Sequence, residues 1–259
     1  MEYDRFAGVF GVWAATAGST AANRSFYLDA YAAAGEGPVV ELGVGDGRLI
    51  LEAARAGRAM HGVEGSAAML AVCRDRAEKA GLLDRLTLIH ADFTSFVLPE
   101  PATLIAMPYH TMPHLLEPAT KLAALRQIHR QLRPGGHFLF DDFVIKPEAI
   151  DRMRQVQLRA RYRNEAGQDS LFWVTSIVDE QTQRIEAITW EDTLDEAGVM
   201  IQRRYRPLTF SWQSPEQAAA LLQEAGFTIE ACWGDFHRTP FDPAKAEEQV
   251  WLVRKEGDR

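Results

Sequence analysis

Cysteine is scarce: the 259 residues hold two, Cys73 and Cys232. Two are too few for a disulfide framework, and they are not spaced as metal ligands. A reducing cytoplasm is the expected compartment. Long apolar runs are also missing. None approaches the roughly 20 residues that span a bilayer, and Met1-Glu2-Tyr3-Asp4-Arg5 carries acid where a secretory leader is basic. No membrane partner is expected. Positive charge is short as well, with 28 Lys and Arg against 36 Asp and Glu for a net −8. That balance speaks against a sequence-independent nucleic-acid binder, which needs a basic face. Repeats and low-complexity tracts are absent. What remains is ordinary: 47% hydrophobic and 25% charged residues exclude wholesale disorder. The length suits one large domain, or one domain with an insertion.

Along the chain, short apolar runs alternate with helical segments. Asn23 is the expected cap of a helix that continues to about Ala34. Val39–Leu42 reads as a buried strand, Gly43–Gly47 as a glycine-rich turn, and Arg48–Ala56 as a helix. Further strands are expected at Ala59–Val63, Leu86–His90, Thr103–Met107 and His137–Phe143. Helices are expected at Ser66–Ala80 and Pro118–Leu132, and Arg133-Pro134-Gly135-Gly136 reads as a turn. This alternation predicts a doubly wound, mostly parallel seven-stranded α/β sheet with helices on both faces. The pattern changes after residue 150. Leu158–Arg163, Leu171–Val178, Arg184–Glu191 and Met200–Trp212 are β-prone and separated by turn signals, as in an inserted antiparallel sheet. Ser214, Pro215 and Gln217 form a capping-box signature, and two last strands follow at Phe227–Cys232 and Gln249–Val253.

The chemistry concentrates in Glu41-Leu42-Gly43-Val44-Gly45-Asp46-Gly47, which follows a strand and opens a helix. Glycines there let the backbone approach a ligand and take positive φ. The first turn of a doubly wound sheet lies at its ligand-binding switch point. Glu64, 17 residues beyond Gly47, ends the second strand and can accept hydrogen bonds from a ribose diol. A dinucleotide site needs G-x-G-x-x-G, and here the third glycine falls one residue early. An acid beside the turn suits a cationic or amine-bearing ligand better than phosphates.

Glu-x-Gly-x-Gly-x-Gly resembles the first motif of class I S-adenosylmethionine-dependent methyltransferases, and four more segments match that family in order. They are Val63-Glu64, His90-Ala91-Asp92-Phe93, Ala106-Met107-Pro108-Tyr109-His110 and Leu132-Arg133-Pro134-Gly135-Gly136. The tail is similar to the small-molecule glycine and aminosugar N-methyltransferase-like members. The resemblance implies S-adenosylmethionine as cofactor. Glu41, Gly43, Gly45 and Gly47 would hold its methionine part, Glu64 and Gly65 its ribose, and Asp92 and Phe93 its adenine. Met69 would cover the adenine or ribose, or else is ordinary core. Met107 would line the methyl position, with Tyr3 and Trp13 in a lid. Tyr3-Asp4 resembles the aminosugar group, but the second tyrosine expected three residues on is missing.

On the acceptor side stand Tyr109, His110 and His114. A histidine of ordinary pKa could take a proton from a phenol or an ammonium, or be a hydrogen-bonded structural group. His110 and His114 have the i, i+4 spacing of a metal pair, but Pro113 disfavours the helix and no third ligand stands nearby; no metal is expected. Arg204 and Arg206 share a strand face and read as an anion clamp or as a solvated face. The aromatics of the inserted sheet would roof an apolar pocket.

The domain reading is a helical lid at 1–37, a Rossmann-like cofactor-binding core at 38–147 and 213–259, and an inserted sheet over the acceptor site at 148–212. The function reading is methyl transfer to a nitrogen, or to an oxygen, of a small molecule by a cytoplasmic monomer or homodimer. Alternatives are an inactive cofactor-binding partner subunit and an NAD-dependent oxidoreductase. Met107-Pro108-Tyr109 lacks the amide or acid of the nucleic-acid amino-methyltransferase signature, so no nucleic acid is expected as partner.

Overall fold

Val39–Leu42 forms β1 and is buried along its whole length. In this computed structural model, which describes residues 2–6, 9, 11–12, 20–164 and 166–257, β1 pairs in parallel with β2 (Met60–Glu64) on one side. The chain then adds β3 (Leu86–His90), returns past β1 to β4 (Ala102–Met107), and continues to β5 (Leu132–Phe143), all parallel. β6 (Gln157–Arg163), β7 (Asp169–Asp179), β8 (Arg184–Leu194) and β9 (Met200–Ser211) form a separate antiparallel sheet in that order. β10 (Phe227–Trp233) and β11 (Glu248–Lys255) return to the first sheet, whose order is β10-β11-β5-β4-β1-β2-β3. β11 runs antiparallel to both its neighbours. The winding reverses between β1 and β4, so the crevice at their carboxyl ends is where a ligand belongs.

Two apolar layers sandwich the parallel sheet. Against one face pack α1 (Thr20–Ala33), α2 (Ile50–Arg55) and α3 (Ala67–Lys79), with Tyr27, Tyr31, Ile50 and Cys73 meeting Val39, Met60, Leu104 and Leu139. Against the other pack α4 (Pro118–Gln131) and, after a short α5 (Pro147–Met153), α6 (Pro215–Glu224). There Leu125, Ile128 and Leu222 meet Val40, Phe138, Phe140 and Trp251. Sheets covered on both sides need strands that are apolar on both sides, which is why β1 and β4 are mainly apolar and buried along their length, with Glu41 the one acid in either strand. Ser66 caps α3 by accepting the Met69 N–H, and Ser214 with Gln217 closes the capping box of α6.

Three local expectations change. Asn23 lies inside α1, fully buried, and does not cap it. Arg133–Gly135 is an exposed excursion within β5 where its pairing with β4 slips register, with Gly135 at φ 75°. α5 was not expected at all; it is a single short segment opened by Pro147. Among the described residues no helix is long and apolar enough to cross a membrane.

Candidate active site

The glycine turn carries positive φ at Gly43, Gly45 and Gly47 (76°, 55° and 88°). A Cβ on Gly43 would come within 2.8 Å of the Thr111 methyl, so the missing side chain lets the loop after β4 close on the turn. Glu64 lies at the end of β2 with its carboxylate buried. One of its oxygens accepts the Gly45 N–H at 2.9 Å and the other accepts the Ser66 N–H at 2.8 Å. Burial raises its pKa, and the N–H groups of Ser66, Gly45 and Gly65 work against the rise. Each oxygen keeps a lone pair for a ligand hydroxyl. Glu41, at the end of β1, accepts the Tyr31 hydroxyl at 3.0 Å. Burial pushes Glu41 up to about 8, tempered by Tyr31 and by the Arg48 charge.

The other expected cofactor residues line the same end of the sheet. Met69 is buried in the first turn of α3. Asp92 is exposed just beyond β3 and accepts both the N–H and the hydroxyl of Thr94, at 2.8 and 2.5 Å. Phe93 is half-buried against the core. The Gly65 carbonyl meets the His90 imidazole at 3.0 Å. Tyr3 belongs to a 3-10 turn at Glu2–Arg5, but its side chain, like all of Trp13, lies outside the described residues.

The donor set fits a cation that carries hydroxyl groups. Two buried carboxylates, Glu41 and Glu64, flank the turn, and burial disfavours the charged form of both. A bound ammonium or sulfonium would add countercharge to what Arg48 supplies at Glu41, and a ribose diol would meet Glu64. A pyrophosphate would face two acids at the same spot, a repulsion that low dielectric strengthens.

The residues expected on the acceptor side are gathered around Asp141 at the carboxyl end of β5. Its two oxygens accept the backbone N–H groups of Tyr109 and His110 at 3.0 and 2.8 Å. Both residues take left-handed φ, 60° and 53°, a conformation L-residues hold only when something pins it. Met107 is fully buried just before them. The His110 ring stacks on Phe143 and meets the Glu248 carboxylate at 2.6 Å. Burial works against the charged imidazole, but Glu248, Asp141 and Asp142 outweigh it and push His110 up to about 9. His114 goes the other way. Burial, with His110 and Lys121 nearby, pushes it down to about 3, and its ring lies against Phe210. So one histidine is an imidazolium at neutral pH and the other a neutral ring, and neither is a base of ordinary strength. The Tyr109 phenol is pushed up to about 12 by burial, its ring lies 3.4 Å below the Arg48 guanidinium, and its buried hydroxyl has no hydrogen-bond partner among the described residues.

Among the described residues, one ligand atom each from His110, Asp141 and Glu248 lie within 4.8 Å of one another. The Asp141 oxygens are already accepting backbone N–H groups, so the three form a hydrogen-bonded cluster around an imidazolium. Glu248 escaped the sequence reading because it lies 138 residues from His110; its only signal was its place at the start of a strand.

The inserted sheet divides its aromatics between two faces. Phe172 and Leu208 pack with Phe6 and Val9 of the N-terminal segment. Trp173 and Trp190 stack on the opposite face, in register with Tyr205. Arg206 is buried in an ion pair with Glu191 at 2.9 Å and donates to the Arg5 carbonyl at 2.8 Å, so it is neither a solvated group nor a free clamp. Arg204 is exposed. The Ser66 hydroxyl donates to Asp4 at 2.6 Å, which joins the same N-terminal turn to the residue whose N–H holds Glu64.

Residues 39–136 match the family described as Methyltransferase domain. An uncharacterized methyltransferase of Geobacillus kaustophilus is 33% identical over 132 residues, 51% of this chain and 58% of the relative's length. Among solved structures, the CcbJ methyltransferase from Streptomyces caelestis aligns with a TM-score of 0.75 at 23% identity, covering 91% of this chain and 90% of that one. CalS10 from Micromonospora echinaspora, an amino pentose methyltransferase solved with S-adenosylmethionine bound, aligns at 0.67 and 20% identity over 90% and 89%. The fold is the Rossmann-like methyltransferase fold with an added antiparallel sheet.

Proposed function

We propose that this protein is an S-adenosylmethionine-dependent methyltransferase that acts on a nitrogen of a small molecule. The observation that carries the reading is the pair of buried acids, Glu41 and Glu64, beside a glycine turn with positive φ at Gly43, Gly45 and Gly47, a setting that repels phosphates and suits a cationic ligand. When bound, the cofactor would supply an electrophilic methyl carbon on a sulfonium, open to in-line attack by an acceptor lone pair as the C–S bond breaks and S-adenosylhomocysteine leaves. Glu41 faces the cofactor's ammonium, and Glu64 with the Gly65 backbone takes the ribose. Asp92, Phe93 and Met69 take the adenine end. Met107 closes the wall beside the methyl, and Tyr3 and Trp13 belong to the covering segment.

The protein's part on the acceptor side is alignment and exclusion of water. Tyr109 offers a neutral hydroxyl to the acceptor, His110 offers fixed positive charge, and His114 fills the pocket wall. None of the three is suited to deprotonate a phenol at neutral pH. An amine that arrives neutral needs no such base, which favours nitrogen over oxygen. Likeness to an amino pentose methyltransferase points the same way. The test is transfer of a labelled methyl from S-adenosylmethionine to a panel of amino sugars, other amines and phenols. Turnover on an amine supports the reading, and turnover on phenols alone overturns the nitrogen assignment. No turnover, with cofactor bound, would favour a non-catalytic partner subunit.

A further inference from the structure

α1 carries three buried polar side chains, Asn23, Tyr27 and Tyr31, spaced i, i+4 and i+8. That spacing places them in one stripe along the helix. Burying polar groups costs free energy unless each finds a partner, and these partners are specific. Tyr31 donates to Glu41 at 3.0 Å. Tyr27 donates to Asp141 at 2.5 Å, and the Asn23 amide approaches the same oxygen at 3.5 Å. The strand alternation explains why one stripe reaches both acids. On β1, Glu41 points to the same side as Val39, and on β5, Asp141 points with Leu139; both apolar residues belong to the layer that α1 covers.

We propose that α1 is the element that aligns the two halves of the site. Tyr31 positions Glu41 for the cofactor, and Tyr27 with Asn23 positions Asp141, which pins the left-handed Tyr109–His110 turn for the acceptor. This deepens the methyltransferase reading and rests on it for the roles given to the two halves. The three are positioning residues and act only through the two carboxylates. Asp141 is the junction: it gathers Tyr27, Asn23 and the two backbone N–H groups, and His110 reaches it again through its ring at 3.5 Å. Without the Tyr27 hydroxyl, the shortest of these contacts is gone and the carboxylate is free to turn. The Tyr27 ring packs edge-on against Phe26 and lies tilted to Tyr31, contacts a phenylalanine keeps.

The test compares Tyr27→Phe with Tyr31→Phe in the full chain. S-adenosylhomocysteine affinity is read by calorimetry, and hydrogen exchange at the Tyr109 and His110 amides by NMR. Tyr31→Phe is expected to weaken S-adenosylhomocysteine about tenfold and to leave the two amides protected, the scale of one lost hydrogen bond to a charged group. Tyr27→Phe is expected to leave that affinity within about twofold and to speed exchange of the two amides by about tenfold or more. Equal effects of both variants on both readouts, as from a general loss of stability, would overturn the proposal. So would unchanged amides in Tyr27→Phe. Should Tyr27→Phe not fold, Asn23→Ala leaves both rings in place and must speed the same two amides. If the wild type binds no S-adenosylhomocysteine, the methyltransferase reading and the Tyr31 arm fall together. The amide comparison still decides the Asp141 arm.

Discussion

Glu64 ties Gly45 and Ser66 together with one carboxylate, and in the proposed function the same carboxylate takes the ribose diol. Glu64→Ala should weaken S-adenosylhomocysteine by about 1–3 kcal/mol, the loss of a charge-assisted hydrogen bond; calorimetry showing unchanged affinity would remove it from the ribose site. His110 and Glu248 make a second residue-level case. Glu248→Gln should lower the His110 titration midpoint, now pushed up to about 9, by removing its largest favourable charge. NMR of the imidazole reads this directly, and an unmoved midpoint would mean Glu248 is not its source. The places of Glu41, Glu64 and Asp92 at the carboxyl ends of β1, β2 and β3 could be read from sequence, because each lies where a short apolar run meets a turn. Glu248, Tyr27 and Tyr31 could not. Their partners are brought to them only by the sheet order, with Tyr27 reaching Asp141 across 114 residues.

Among the elements, the inserted sheet shows what alternation can and cannot tell. Its four strands were visible as β-prone stretches between turns, and the period of two placed Arg204 and Arg206 on one face. Which face packs on something could not be read. Phe6 and Val9 cover the Phe172 side, and Arg206 is thereby buried with Glu191. Arg206→Met should therefore cost about 3 kcal/mol, since it removes the ion pair of a buried Glu191 and leaves its charge only the Tyr162 hydroxyl and the nearby Arg204. Urea unfolding reads that loss, and a change below about 1 kcal/mol would place Arg206 among solvated surface groups. The N-terminal turn should loosen in the same variant, because the Arg5 carbonyl loses its donor. α1 illustrates the opposite difficulty. Its helical signal was clear, but a buried Asn23 mimics an N-cap in sequence, and only the packed helix shows it facing Asp141.

At the scale of the whole molecule, the α/β alternation foretold the parallel sheet and its helical layers, because strands buried on both sides are mainly apolar and the buried acids of β1 and β5 stand out among them. The buried ionisable groups then make stability depend on pH. His110 is raised from 6.5 to about 9, so its contribution is complete below 6.5 and is lost as pH rises through 9. Glu41, raised from 4.5 to about 8, contributes in the same sense, lost between those values. Lys121, lowered by burial, opposes them. The ligand-free protein should thus lose stability from pH 7 to pH 9, seen as a falling melting temperature; a rise over that range would contradict the His110–Glu248 pairing.

In the proposed function the glycine turn and its two acids hold S-adenosylmethionine, and every other role follows from that placement. Calorimetric titration of the full chain with S-adenosylhomocysteine, and separately with NAD, tests it most directly. The expected result is one S-adenosylhomocysteine bound per chain and no heat with NAD. Binding of NAD without S-adenosylhomocysteine would contradict it.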